Sequence, residues 1–102
     1  MTLFEALADP TRRQIVELVA TREMSAGDIA SRFDVTRPAI SRHLRVLRES
    51  GLLRARGDAQ RRIYALDPGA LDELDAWIER TRSFWSSRLG RLDRHLEETV
   101  DR

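Results

Sequence analysis

No cysteine occurs among the 102 residues, which excludes disulfides, thiolate metal sites and a cysteine redox switch. Lysine is absent as well: all 18 basic residues are arginine. Arginine offers a planar fork of donors suited to phosphates and guanine edges, although the codon bias of a GC-rich genome gives the same composition. No apolar run approaches membrane-spanning length. The opening Met1–Glu5 has no basic-then-apolar leader, so a cytoplasmic protein is expected. A phosphate-binding glycine loop is missing, and no histidine–carboxylate arrangement stands at catalytic spacing. Ser41 and His43 would point to different faces of a helix and so make no nucleophile–base pair. An enzyme is not expected.

What is present is a run of well-marked local signals. A chain of this length forms one domain, and 41% apolar residues supply only a modest core. Such a chain often completes its core with a second copy. Thr2-Leu3-Phe4-Glu5 is a capping box that opens a short helix through about Ala8. Asp9-Pro10 restarts the helix to about Ala20, with Ile15, Leu18 and Val19 inward. Ser25-Ala26-Gly27-Asp28 caps a third helix, with Ile29, Ala30 and Phe33 inward. Asp34-Val35-Thr36 leaves room only for a tight turn. Thr36 caps a fourth helix, whose first turn tolerates Pro38. Ile40, Leu44 and Leu47 have the i, i+4, i+7 spacing of a buried stripe, and Gly51 ends that helix. The period then changes. Leu52–Arg56 and Arg61–Leu66 read as short strands around the turn Gly57-Asp58-Ala59-Gln60. Asp67-Pro68 starts a last helix, unbroken to about Glu98 except by Gly90, which costs about 1 kcal/mol against alanine.

Two helices joined by a short turn, the second with a polar N-terminal face, describe a helix-turn-helix over residues 25–50. The hairpin at 52–66 is its wing, and 68–98 is a long C-terminal helix. The expected fold is mainly α with a small β-hairpin, a single winged helix-turn-helix domain over 1–102 in the order α-α-α-α-β-β-α. With the apolar stripe inward, Arg37, Pro38, Ser41, Arg42 and Arg45 lie outward beside the cap Thr36. These are the candidate DNA-binding residues of the helix, placed where its dipole favours a phosphate. Between Thr36 and Leu66 eight arginines stand against two acids, a balance of +6, which leaves −5 on the other 71 residues. A nearly neutral chain is therefore a basic patch on an acidic body. In the wing, Arg54, Arg56, Arg61 and Arg62 are placed for flanking phosphates or a narrow minor groove. The bland alternative is a solvated hairpin that touches nothing.

Leu71, Leu74, Ile78, Thr81, Trp85, Leu89, Leu92 and Leu96 follow the three- and four-residue steps of a two-helix seam. Trp77 and Phe84 widen the stripe. So long a helix exceeds what so small a core can cover. Burial against a partner subunit, with Leu3, Phe4 and Leu7 of the first helix contributing, is expected; packing on its own core is the alternative.

The run Leu7-Ala8-Asp9-Pro10-Thr11-Arg12-Arg13-Gln14-Ile15-Val16 resembles the opening of the ArsR/SmtB family of bacterial winged-helix repressors. The run from Arg37-Pro38-Ala39-Ile40-Ser41-Arg42-His43 through Gly51-Leu52-Leu53 resembles that family's recognition helix, and Arg61–Leu66 its wing. The likeness spans roughly residues 3–70. It implies a homodimer, joined through the first and last helices, that binds an inverted-repeat operator in double-stranded DNA and represses its own operon. One metal site of the family uses cysteines where this chain has Ser25-Ala26-Gly27-Asp28. Another uses ligands along the last helix, at positions that hold Pro68, Ala70, Thr81 and Phe84 here. His95 and Glu98 share a helix face, but the matching half of such a site falls on Arg82 and Phe84. No metal and no cofactor are expected. His43 reads as a helix-face or DNA-proximal residue and His95 as a solvated one. Phe84-Trp85 with Arg88-Leu89 resembles a cysteine-free branch often encoded beside a small ligand-binding or stress-type protein. Those aromatics either line an effector pocket or pack the dimer. The expected function is sequence-specific transcriptional regulation; a winged-helix protein–protein module without DNA readout is the alternative.

Overall fold

The computed structural model describes residues 1–90 in full and the helical backbone of residues 91–100. In chain order the elements are α1 (Leu3–Ala6), α2 (Pro10–Thr21), β1 (Met24–Ser25), α3 (Ala26–Ala30) and α4 (Arg37–Glu49). They continue with β2 (Leu53–Asp58), β3 (Arg61–Leu66) and α5 (Pro68–Val100). Each expected helix start is capped by the expected side chain. Thr2, Asp9, Ser25 and Thr36 accept from the backbone N–H three residues on, at 3.1, 3.0, 3.1 and 3.3 Å. Asp67 accepts from Gly69 N–H at 2.8 Å at the start of α5. Such a cap stabilises a helix by about 1 kcal/mol.

The Asp9 cap has a pH consequence. Its carboxyl lies below the ordinary carboxylate range, chiefly because the Arg12 N–H donates to the charged form. Burial opposes the shift, and the nearby His43 and Arg12 charges add to it. A carboxyl depressed on folding contributes stability that is present above its unfolded pKa and lost as pH falls through the folded one. Asp9→Asn keeps a competent cap but cannot titrate. Urea unfolding across a pH series should therefore show a shallower acid limb for this variant than for the wild type; an identical limb would contradict the assignment.

The end of α4 is equally well defined. Gly51 takes φ +87°, its N–H donates to Arg48 C=O at 3.1 Å, and Leu52 N–H donates to Leu47 C=O at 3.0 Å. This is a Schellman closure, with Leu47 and Leu52 both buried beside it. A Cβ at Gly51 would meet nothing within 4 Å, so Gly51→Ala carries only the left-handed backbone cost. That cost is about 1 kcal/mol, seen as a fall of roughly 4–8 °C in Tm, with the fold otherwise intact.

The wing is part of a three-stranded antiparallel sheet in the order β1-β3-β2, where the sequence suggested only a hairpin. Met24 pairs with Tyr64 and Ser25 with Ile63, which fastens the α2–α3 junction to the wing. A two-residue strand has no periodicity to read. The hairpin is also longer than expected: Asp58 pairs with Arg61, which leaves Ala59-Gln60 as the turn and Ala59 at φ +57°.

Two helix ends differ from the sequence reading. α1 stops at Ala6, short of Ala8, because arginines from α2 take its last carbonyls. Arg12 Nε donates to Ala6 C=O at 2.7 Å and Arg13 Nη1 to Leu7 C=O at 2.9 Å. α3 stops at Ala30. Its last turn tightens, with Arg32 N–H on Ile29 C=O and Phe33 N–H on Ala30 C=O, so the link to α4 covers residues 31–36. Phe33 lies in that link, half-buried, and not on the helix.

The chain divides into two compact units, residues 1–71 and the rest of α5 from Asp72. The first unit holds the core, in which Ile15, Ile29, Ile40, Leu44, Leu47, Leu52 and Leu53 are fully buried. Each such side chain contributes about 1.5–3 kcal/mol. Leu3 belongs to this core at 5% exposure, whereas Phe4 and Leu71 are exposed and Leu7 is half-buried. In the second unit Ile78, Phe84, Trp85 and Leu89 are exposed, and Leu74 and Thr81 are half-buried. Phe84 and Trp85 meet edge to face at 6.2 Å, with the Arg88 guanidinium 4.8 Å over the Phe84 ring. The side chains of Leu92, His95, Leu96 and Glu98 lie outside the described residues.

Candidate nucleic-acid interface

Burial of Ile40, Leu44 and Leu47 fixes the rotation of α4. Arg37, Pro38, Ser41, Arg42, Arg45 and Arg48 are consequently all exposed. Residues 37, 41, 45 and 48 follow four-, four- and three-residue steps and form one row along the helix. Among the described residues, Arg37, Arg42, Arg45, Arg48, Arg54 and Arg62 form neither an ion pair nor a side-chain hydrogen bond. Guanidiniums held in this way are available to an external anion.

The wing arginines separate into two groups. Strand alternation and the register put Ala55, Gly57, Arg62 and Tyr64 on one face of the hairpin, and Arg54, Arg56, Ile63 and Ala65 on the other. The first face turns toward α4. A hollow of about 210 Å³ is lined there by Ser41, Arg45 and Arg48 of α4, Arg62 and Tyr64 of β3, and Ala26. A second hollow, about 360 Å³, shares Ala26 and Arg62 with it and adds Arg37, Gln60 and Arg61. The opposite face carries a separate hollow lined by Glu23, Arg54, Arg56 and Ile63. There Arg56 Nη2 donates to Glu23 Oε2 at 2.9 Å, and this contact raises the arginine's pKa. Arg61 pairs with Asp58 across the turn at 3.1 Å. The structure thus brings Arg37, Ser41, Arg45, Arg61 and Arg62 together, with Arg42 beside them on α4. It sets Arg54 and Arg56 on the other face. Thr36 is engaged as the cap of α4.

His43 occupies the side of α4 toward α2, where Arg12 Nη1 lies 3.5 Å from its Nδ1. The sequence reading missed three features. Arg48 counts toward the basic charge but is not among the candidate DNA-binding residues, although extending the row from Arg45 by one turn reaches it. The floor contributed by Ser25, Ala26 and Gly27 and the Glu23–Arg56 pair depend on tertiary folding, and no local signal announces them. Among the described residues, no three His, Asp or Glu side chains stand together as a metal group, and no helix is long and apolar enough to cross a membrane.

A model of the arsR family of bacterial regulatory proteins matches residues 9–55. The HTH-type transcriptional regulator Rv2034 of Mycobacterium tuberculosis is 42% identical over 86 residues, covering 84% of this chain and 78% of that protein. This chain belongs to the ArsR family. The transcriptional repressor SdpR of Bacillus subtilis is 36% identical to this ArsR-family chain over 76 residues, or 74% of it and 84% of the repressor. Among solved structures, the homodimeric winged helix-turn-helix DNA-binding domain Mb0332 of Mycobacterium bovis superposes with a TM-score of 0.64 at 28% identity. That match covers 78% of this chain and 73% of the other. The matched 9–55 segment contains α2, β1, α3 and α4 and enters the wing. This ArsR-family protein is a transcriptional regulator with a winged helix-turn-helix fold, and not an enzyme.

Proposed function

We propose that this regulator binds double-stranded DNA sequence-specifically as a homodimer, with each subunit laying α4 in a major groove. The observation that carries the reading is the exposed row on α4. Arg37, Ser41, Arg42 and Arg45 face outward, clear of internal partners, beside Arg61 and Arg62 of the wing. Arg42 would read base edges, since arginine's fork matches guanine, and Arg45 continues the DNA-facing row one turn on. Thr36, Arg37 and Pro38 hold the helix N-terminus against a phosphate, and the wing arginines anchor the flank. Arg54 and Arg56 are outer contacts that come into play only where DNA wraps past the wing.

The homodimer rests on the exposed apolar residues of α5, Leu71, Ile78, Trp85 and Leu89, continued by Leu74 and Leu92 at the same steps. Phe4 and Leu7 of α1 add to it, and the M. bovis domain with this fold is homodimeric. Leu3 contributes from beneath, through its place in the core. Two-fold symmetry then requires an inverted-repeat operator with the two α4 helices about 34 Å apart. Occupying that site at its own promoter makes the protein an autorepressor working in the cytoplasm. The test is a gel shift with the DNA upstream of its own gene against a scrambled duplex of equal length. Tighter binding to the natural sequence, falling steeply with salt, is the expected result. Equal or absent binding to both duplexes would overturn the reading in favour of a protein–protein module.

A further inference from the structure

We propose that the hollow between α4 and β3 is a phosphate subsite, in which Arg45, Arg48 and Arg62 together hold one phosphodiester of the DNA backbone. The proposal rests on the DNA-binding reading above and adds a site to it. Three arginine side chains line one concavity of about 210 Å³, with no acidic residue among the lining groups. Arg45 and Arg48 come from successive turns of α4 and Arg62 from β3, so the site exists only because the wing packs against the helix. Ser41 and the buried Tyr64, 6% exposed, also line it. None of the three arginines has an internal anionic partner among the described residues. The nearby Arg61 and Arg56 do, with Asp58 and Glu23 respectively. Three like charges facing one hollow repel each other unless an anion sits between them, and arginine's paired N–H groups suit phosphate oxygens. With α4 in a major groove, as the DNA-binding reading has it, a strand running between the helix and the wing would pass this hollow, so the anion proposed for it is a backbone phosphate.

The subsite makes Arg48 a positioning contact that carries no sequence information. The probe is a duplex carrying the natural upstream sequence, compared with its scrambled counterpart, at salt from 50 to 200 mM. Arg48→Gln should weaken both duplexes by the same factor and lower the salt slope by about one unit. Over that salt range the wild type should lose about fourfold more affinity than the variant. Arg22→Gln, an equal charge change at an exposed arginine outside these hollows, should leave the slope unchanged. Replacing backbone phosphates one at a time with uncharged methylphosphonates should identify one position per half-site that weakens the wild type but not Arg48→Gln. If the wild type discriminates between the duplexes while Arg48→Gln keeps its affinity and slope, the subsite is wrong and the DNA-binding reading survives. If the wild type binds neither duplex, the DNA-binding reading itself has failed.

Discussion

Ile78→Glu combined with Trp85→Glu should give a monomer whose affinity for a full operator is lower by about 10²–10⁴-fold. Both residues are exposed in the chain, at 41% and 53%, so their replacement leaves the core untouched, and glutamate is a good helix former. In the proposed dimer these positions would face the partner's α5. Two substitutions per subunit would put four carboxylates into the proposed apolar seam, where loss of hydration opposes association. The loss on DNA follows from geometry. Once one half-site is engaged, the second binds at the high effective concentration set by the dimer, and a monomer forfeits that gain. Sedimentation equilibrium and fluorescence anisotropy, on full-operator and single half-site duplexes, separate the two effects. Half-site affinity should barely change. A double variant that still sediments as a dimer would rule out the α5 seam.

The second large effect is expected at α4. Arg42→Ala should cost about 1–3 kcal/mol per half-site, or roughly fivefold to 150-fold, and should relax the preference at a single base pair. Arg42 is exposed and has no internal partner among the described residues, so its truncation removes no fold contact. Thermal stability should stay within about 0.5 kcal/mol of the wild type, the usual range for surface changes. Arg62→Ala should behave differently, weakening all sequences about evenly and lowering the salt slope by about one. Competition against a panel of single-base variants distinguishes the two patterns. If Arg42→Ala changed affinity without changing the rank order of that panel, Arg42 would be a phosphate contact and not a reader.

What could be read from the sequence was whatever has a short range. The caps at Thr2, Asp9, Ser25 and Thr36 each join a side chain to an N–H three residues away, and all formed as expected. The buried stripe of α4 and the glycine at its end were legible for the same reason. The misses required distant partners. β1 exists because Met24 and Ser25 meet Tyr64 and Ile63. The early end of α1 depends on Arg12 and Arg13 reaching back to backbone carbonyls, which carry no side-chain signature. Arg56 looked like an outward anchor until its pairing with Glu23, 33 residues away, was seen. The basic character of the site was legible as charge, but the side of the wing on which each arginine falls needed the strand register. Arg62 and Arg56 are alike in composition and opposite in placement.

The central claim is that a symmetric dimer reads DNA sequence through α4. Selecting bound fragments from genomic DNA of the source organism, with wild type and Arg42→Ala in parallel, tests it most directly. The wild type should enrich one inverted repeat whose half-site centres lie about 10–10.5 base pairs, or a multiple of that, apart. Arg42→Ala should return the same repeat with one symmetry-related position in each half relaxed. Recovery of bound DNA with no enriched sequence, or with a motif lacking two-fold symmetry, would contradict the account.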